Sequence, residues 1–144
     1  MAAPQFKNPP SVKPSTVKKR FTLEGANRTL PYVTRVVADI IKAHERATNL
    51  QAKMESLRSS KAHDTTEREL VVVLDRLQSL VDELHGVGCE LKDYQTGLVD
   101  FIGRPQGRDV YLCWRMGEPK VAYWHEMQSG FAGRQPVSIL DERE

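Results

Sequence analysis

The stretch from residue 97 to residue 135 reads GLVDFIGRPQGRDVYLCWRMGEPKVAYWHEMQSGFAGRQ and holds most of the aromatic residues of the chain. Three runs within it, at about 98–102, 109–115 and 120–126, are rich in β-branched and aromatic residues. Gly/Pro clusters at 103–107 and 116–119 separate them. That pattern predicts a small antiparallel sheet, extended to about 89–126 if residues 89–92 add an edge strand. A sheet with one apolar face must be covered. Whatever precedes this stretch therefore has to supply the cover.

Two amphipathic helices are predicted to do so. Val33, Val36, Val37, Ile40, Ile41, Ala43, Ala47, Leu50, Met54 and Leu57 recur at intervals of three and four, which predicts a helix over about 31–57 with Pro31 at its first position. Thr22 is placed to cap a short helical turn just ahead of it. Thr66-x-x-Glu69 reads as a capping box, and Leu70, Val73, Leu74, Leu77, Leu80, Val81 and Leu84 carry a second helix over about 66–85. The short polar connection makes the two helices antiparallel. At 1.5 Å per residue they reach about 40 Å and about 30 Å, so the first overhangs and needs a further partner. The expected fold is thus α+β: an antiparallel two-helix hairpin packed on a small antiparallel sheet, in a single domain over 21–140.

Residues 1–20 differ in kind. They contain Pro4, Pro9, Pro10 and Pro14 with five bases and no acid, and almost no large apolar side chains. Such a segment cannot bury enough surface to offset its ordering entropy, which predicts a disordered basic tail. The last residues, 139–144, are expected to fray. The tail also distorts the net charge of +2: setting its five bases aside leaves 16 of the 21 bases against 19 acids, a net of about −3. The body therefore offers no basic face for nucleic acid, and phosphate binding would fall to the tail. No apolar run approaches the roughly 18 residues of a membrane-spanning helix. Cys89 and Cys113 are too few for a disulfide framework, and the chain does not start with the apolar run of a signal peptide, so a reducing cytoplasm is the expected setting. There the Asn27-Arg28-Thr29 sequon carries no meaning.

Several clusters of residues are shared with a known family. Phe21-Thr22-Leu23-Glu24, Ala26-Asn27 and Leu30-Pro31 precede the long helix. Lys92-Asp93, Gly97-Leu98-Val99-Asp100-Phe101, Tyr111-Leu112-Cys113-Trp114, Tyr123-Trp124-His125-Glu126 and Gly130-Phe131-Ala132-Gly133-Arg134-Gln135-Pro136 follow in the sheet region. From residue 21 to about 137 the chain resembles the prokaryotic family catalogued as domain of unknown function 2203. The resemblance implies a bacterial cytosolic protein and no particular activity.

Chemistry has to be argued from the sheet. Pairing the first two strands around 104–107 sets Phe101 against Val110, Val99 against Leu112 and Asp100 against Tyr111. Val110, Leu112 and Trp114 then face the helices. A second hairpin that pairs Cys113 with Tyr123 and Tyr111 with His125 completes the other face as Asp100, Tyr111, Cys113, Tyr123 and His125. Same-face neighbours lie about 5 Å apart across strands, so Asp100, Cys113 and His125 are candidates to hold a zinc or iron ion. A metal-free catalytic alternative uses His125 as general acid or base, oriented by Asp100, with Cys113 as nucleophile. The plainest alternative buries Cys113 as a small hydrophobe and His125 in a polar network. No Cys-x-x-Cys, His-Glu-x-x-His or nucleotide-binding signature supports a sharper reading.

Gly130 and Gly133 free the backbone beside Arg134, a grouping that suits a carboxylate or phosphate with Tyr111 and Tyr123 nearby. Its structural alternative pairs Arg134 with Glu24, Asp93 or Asp100 as a clamp. His44, His63 and His85 have unrelated spacing and are expected to be exposed. Two functional classes follow. One is a non-catalytic interaction or regulatory module, homodimeric or bound to a helical partner through the long helix. The other is a metal- or small-anion-binding protein, and as such a candidate enzyme, with its site around Asp100, Cys113, His125 and Arg134.

Overall fold

A computed structural model describes residues 19–58 and 60–140. The expected basic tail lies outside the described residues except for Lys19 and Arg20, as do residues 141–144 at the expected frayed end. Arg20 is not tail: it belongs to strand β1 (Arg20–Phe21) and forms an ion pair with Asp109 at 2.9 Å.

Thr22 caps not a short turn but the long helix itself. Its Oγ1 accepts the Gly25 N–H at 2.9 Å and Glu24 sits in the first turn, so α1 spans Leu23–Ser56. Pro31, expected to start the helix, lies inside it, where its missing N–H and its ring cost about 3 kcal/mol. Buried Ala26 and Leu30 favour the early start, and Asn27 ties that turn to the sheet side. The Asn27 amide accepts the Val121 N–H at 2.7 Å and donates to the Val121 carbonyl at 3.3 Å and the Leu23 carbonyl at 3.1 Å.

The second helix also begins early. Ser60 Oγ accepts the His63 N–H at 3.2 Å, so α2 covers Lys61–Val87. Thr66, expected as the cap, is a buried helical residue whose hydroxyl bonds back to the Ala62 carbonyl at 2.9 Å. Gly88, at φ 110, terminates α2 in the left-handed conformation. With 34 and 27 residues, the helices reach about 51 Å and about 40 Å. Among the described residues no helix is long and apolar enough to cross a membrane.

Beyond the hairpin come β2 (Glu90–Asp93), β3 (Leu98–Gly103), β4 (Val110–Arg115), β5 (Tyr123–Glu126) and β6 (Gln135–Pro136). They form one six-stranded sheet in the order β1, β3, β4, β5, β6, with β2 also on β3. Among the described residues all pairings are antiparallel except β1 on β3, which is parallel. The first hairpin is slipped by two residues from the expected register: Val99 opposes Trp114, Asp100 opposes Cys113 and Phe101 opposes Leu112. A slip of two preserves the faces. The second hairpin has the expected register, with Tyr111 opposite His125 and Cys113 opposite Tyr123.

Leu91, Val99, Phe101, Val110, Leu112, Trp114 and Trp124 pack against Ala26, Leu30, Val33, Val37 and Ile40 of α1 and Leu77, Val81 and Leu84 of α2 in the main core. A second, smaller cluster joins Ala47, Leu50 and Leu70, with Met54, Val73 and Leu74, from the helices alone. The hairpin thus has an inner half seated on the sheet and an outer half that packs on itself. The architecture is the α+β arrangement expected from the sequence.

Candidate functional site

The face of the sheet away from the helices carries the polar chemistry. Alternation along β3, β4 and β5 places Asp100, Cys113 and His125 there, and the two registers set Asp100 beside Cys113 and His125 beside Tyr111. Although neither α1 nor α2 covers this face, Asp100, Cys113 and His125 are 3%, 0% and 2% exposed. One ligand atom from each lies within 4.8 Å of the other two. The three residues proposed from the sequence as metal or catalytic groups therefore converge.

Proton positions in this cluster are constrained by donor and acceptor chemistry. His125 Nδ1 lies 2.8 Å from the Glu126 carbonyl, which can only accept, so Nδ1 carries hydrogen. That directs Nε2 at both oxygens of Asp100, each 3.2 Å away. In a neutral ring Nε2 would then present a lone pair to a carboxylate. The contact is favourable only if a proton or a metal ion stands between them. Burial works against the charged ring, yet the Asp100 hydrogen bond, the Glu126 carbonyl and the Asp100 charge outweigh it, raising the pKa above the ordinary 6.5.

Cys113 completes the group as a thiol. Burial pushes its pKa up to about 12, and the neighbouring Asp100 carboxylate adds to the shift. A thiol so held is a poor nucleophile at neutral pH, which weighs against the metal-free catalytic alternative; a bound cation would deprotonate it. Cys89 is likewise buried, with its pKa pushed up to about 12, but it packs in the main core on the other side of the sheet.

Glu90 was not anticipated from the sequence. It sits directly across from Asp100 on β2 and is 2% exposed. One carboxylate oxygen pairs with Lys92 Nζ at 2.7 Å, while the other is buried with no hydrogen-bond partner among the described residues. Lys92 also lies 5.1 Å from the ring centroid of Tyr111, whose ring is 5.3 Å from that of His125. The only sequence signal was the alternation of Glu90 and Lys92 on a short strand next to a helix end.

Arg134 is placed differently. Its guanidinium pairs with Glu118 at 2.6 Å and lies 4.2 Å over Tyr123 and 4.7 Å over Phe131. It also reaches the Cys113 carbonyl at 3.4 Å. It is a clamp, as one alternative held, but on Glu118 rather than Glu24, Asp93 or Asp100. The Gly133 and Arg134 N–H groups already donate to the Gly130 and Phe131 carbonyls at 3.0 and 3.1 Å. An incoming anion would have to displace Glu118 and these backbone bonds, so the geometry here favours structure over anion capture.

The other histidines stand apart from this cluster, though they are half-buried rather than exposed. His44 stacks on Tyr94 with ring centroids 5.1 Å apart. His63 groups with Asp64 and Glu67 within 4.8 Å, but on the first turns of α2, where helical spacing alone brings such groups together and both acids are exposed.

Taken together, the fold and the cluster define a small α+β protein whose sheet carries a buried Asp-Cys-His group on the face opposite a helical hairpin. The chain belongs to the family described as Uncharacterized conserved protein (DUF2203), whose pattern matches residues 19–137. No curated protein and no solved structure matches it.

Proposed function

We propose that this is a metal-binding protein in which Asp100, Cys113 and His125 hold one transition-metal ion, zinc before iron. The carrying observation is that His125 donates Nδ1–H to a backbone carbonyl and aims Nε2 at the Asp100 carboxylate, with Cys113 Sγ within reach. A ligating histidine is commonly oriented through its other nitrogen in this way, and thiolate, imidazole and carboxylate are the donor set of zinc. Glu90 supports the reading independently, since a buried carboxylate oxygen without a partner among the described residues adds negative potential next to Asp100. Metal uptake displaces the His125 Nε2 proton and the Cys113 thiol proton, so affinity rises with pH. We assign the protein to a reducing compartment, the cytoplasm, where two unpaired buried thiols persist.

Cobalt(II) titration of the metal-stripped protein tests this. One equivalent should bind with a thiolate-to-cobalt charge-transfer band. Cys113→Ser should abolish the band, and His125→Gln should weaken binding at least about tenfold. If the folded, metal-stripped chain takes up neither cobalt nor zinc, the proposal is wrong and the cluster is a buried imidazolium–carboxylate pair.

A further inference from the structure

The outer half of the helical hairpin has a face with no use in the site. Glu67, Arg68, Val71, Val72, Asp75 and Arg76 all lie exposed along α2. Val71 and Val72 are 53% and 68% exposed and stand in the middle of that row. They form a ridge between two shallow grooves. One is lined by Asp64, Glu67 and Arg68, and the other by Asp39, Lys42, Ala43, Arg46 and Arg76 beside α1. A ridge flanked by grooves is the shape by which helices pack on one another.

The charges along the ridge select the occupant. We infer that a second copy of the chain docks here, α2 against α2 in antiparallel orientation, about a twofold axis between Val71 and Val72. Residues equidistant from the axis then oppose each other: Val71 meets the partner's Val72, Arg68 meets the partner's Asp75, and Glu67 meets the partner's Arg76. Every charged pair near the axis is of opposite sign, and by symmetry each occurs twice. A parallel pairing would set Glu67, Arg68, Asp75 and Arg76 each against its own kind. The contact buries two valines from each copy within a ring of ion pairs, the arrangement of a modest, salt-sensitive dimer. It uses α2 rather than the long helix, and it is independent of the metal.

Sedimentation equilibrium of the full chain reads the association directly. The wild type should dimerise, and Glu67→Arg should weaken the dimer at least about tenfold by bringing like charges together. Adding Arg76→Glu to that variant should restore it. Both positions are exposed, and because Arg76 also lies 3.9 Å from Asp39 of α1, circular dichroism checks that each variant is folded. Val72→Cys should in addition form an intermolecular disulfide under mild oxidation, close to the axis. A chain that stays monomeric at every concentration overturns the inference, as does a dimer indifferent to Glu67→Arg or not rescued by the double reversal. A groove occupied instead by residues 1–18 of the same chain would appear as the first of these outcomes.

Discussion

His125 and His44 show how burial alone does not set the sign of a titration. Burial lowers the pKa of both. At His44, packed on Tyr94, it prevails over the attraction of Asp93 and the value falls below 6.5. At His125 the Asp100 carboxylate and the Glu126 carbonyl prevail and the value rises. Linkage then gives opposite slopes. The His125 pair stabilises the metal-free fold fully below pH 6.5 and loses that contribution as pH rises through the raised folded value. His44 stabilises it above 6.5 and loses that contribution as pH falls through its lowered value. In the metal-free protein, NMR should show His125 titrating above 6.5 and His44 below it. The stability gap between wild type and His125→Gln should narrow with rising pH; a gap that widens would contradict the assignment. At this scale the sequence was informative about Asp100 and Cys113, which share a face despite the slip of two in the first hairpin, and about His125 only through the second hairpin, where a shift of one would have removed it. Glu90 and the Arg134–Glu118 clamp were not legible. One is a lone acid beside a helix end, and the other depends on how the chain turns between β4 and β5.

Helix starts and the first hairpin are where element-level reading and structure part. Pro31 looked like a first helical residue, yet the Thr22 cap and the Asn27 bridge extend α1 through it. Asn27 is the unanticipated link, since its partner Val121 is far along the chain and belongs to a segment without regular pairing. Asn27→Ala leaves the Val121 N–H, on a residue 1% exposed, without that partner. The urea midpoint should fall by the equivalent of about 1–3 kcal/mol with the slope unchanged. A change below about 0.3 kcal/mol would mean the bridge adds nothing to stability. The hairpin slip has a local cause. The connection between β3 and β4 holds Gln106 at φ 52 and Gly107 at φ 76, two successive left-handed residues. Glycine announces such a conformation and glutamine does not, so the loop length, and with it the register, was hidden.

For the molecule as a whole the division of the core matters most. The inner half of the hairpin shares its apolar contacts with the sheet, whereas the outer half relies on Ala47, Leu50, Leu70 and their neighbours. Fewer buried contacts imply a lower free energy of local opening. Hydrogen exchange at concentrations where the chain is monomeric should find amides around Leu50 and Leu70 exchanging at least about tenfold faster than those around Leu80 and Leu84. Uniform protection along α2 would show that the hairpin opens only with the whole domain.

The parallel pairing of β1 with β3 has a further consequence for a chain made from its N-terminus. Phe21 pairs with Gly103, so at about 5–20 residues per second the first strand is synthesised roughly 4–16 s before its partner. The hairpin is complete once Val87 is made, ahead of β3, so α1 and α2 can close on each other before Gly103 and Asp109, which Phe21 and Arg20 meet in the sheet, exist. The strand that comes first in translation can therefore be seated only after the hairpin has had time to form, and its pairing closes one edge of the sheet.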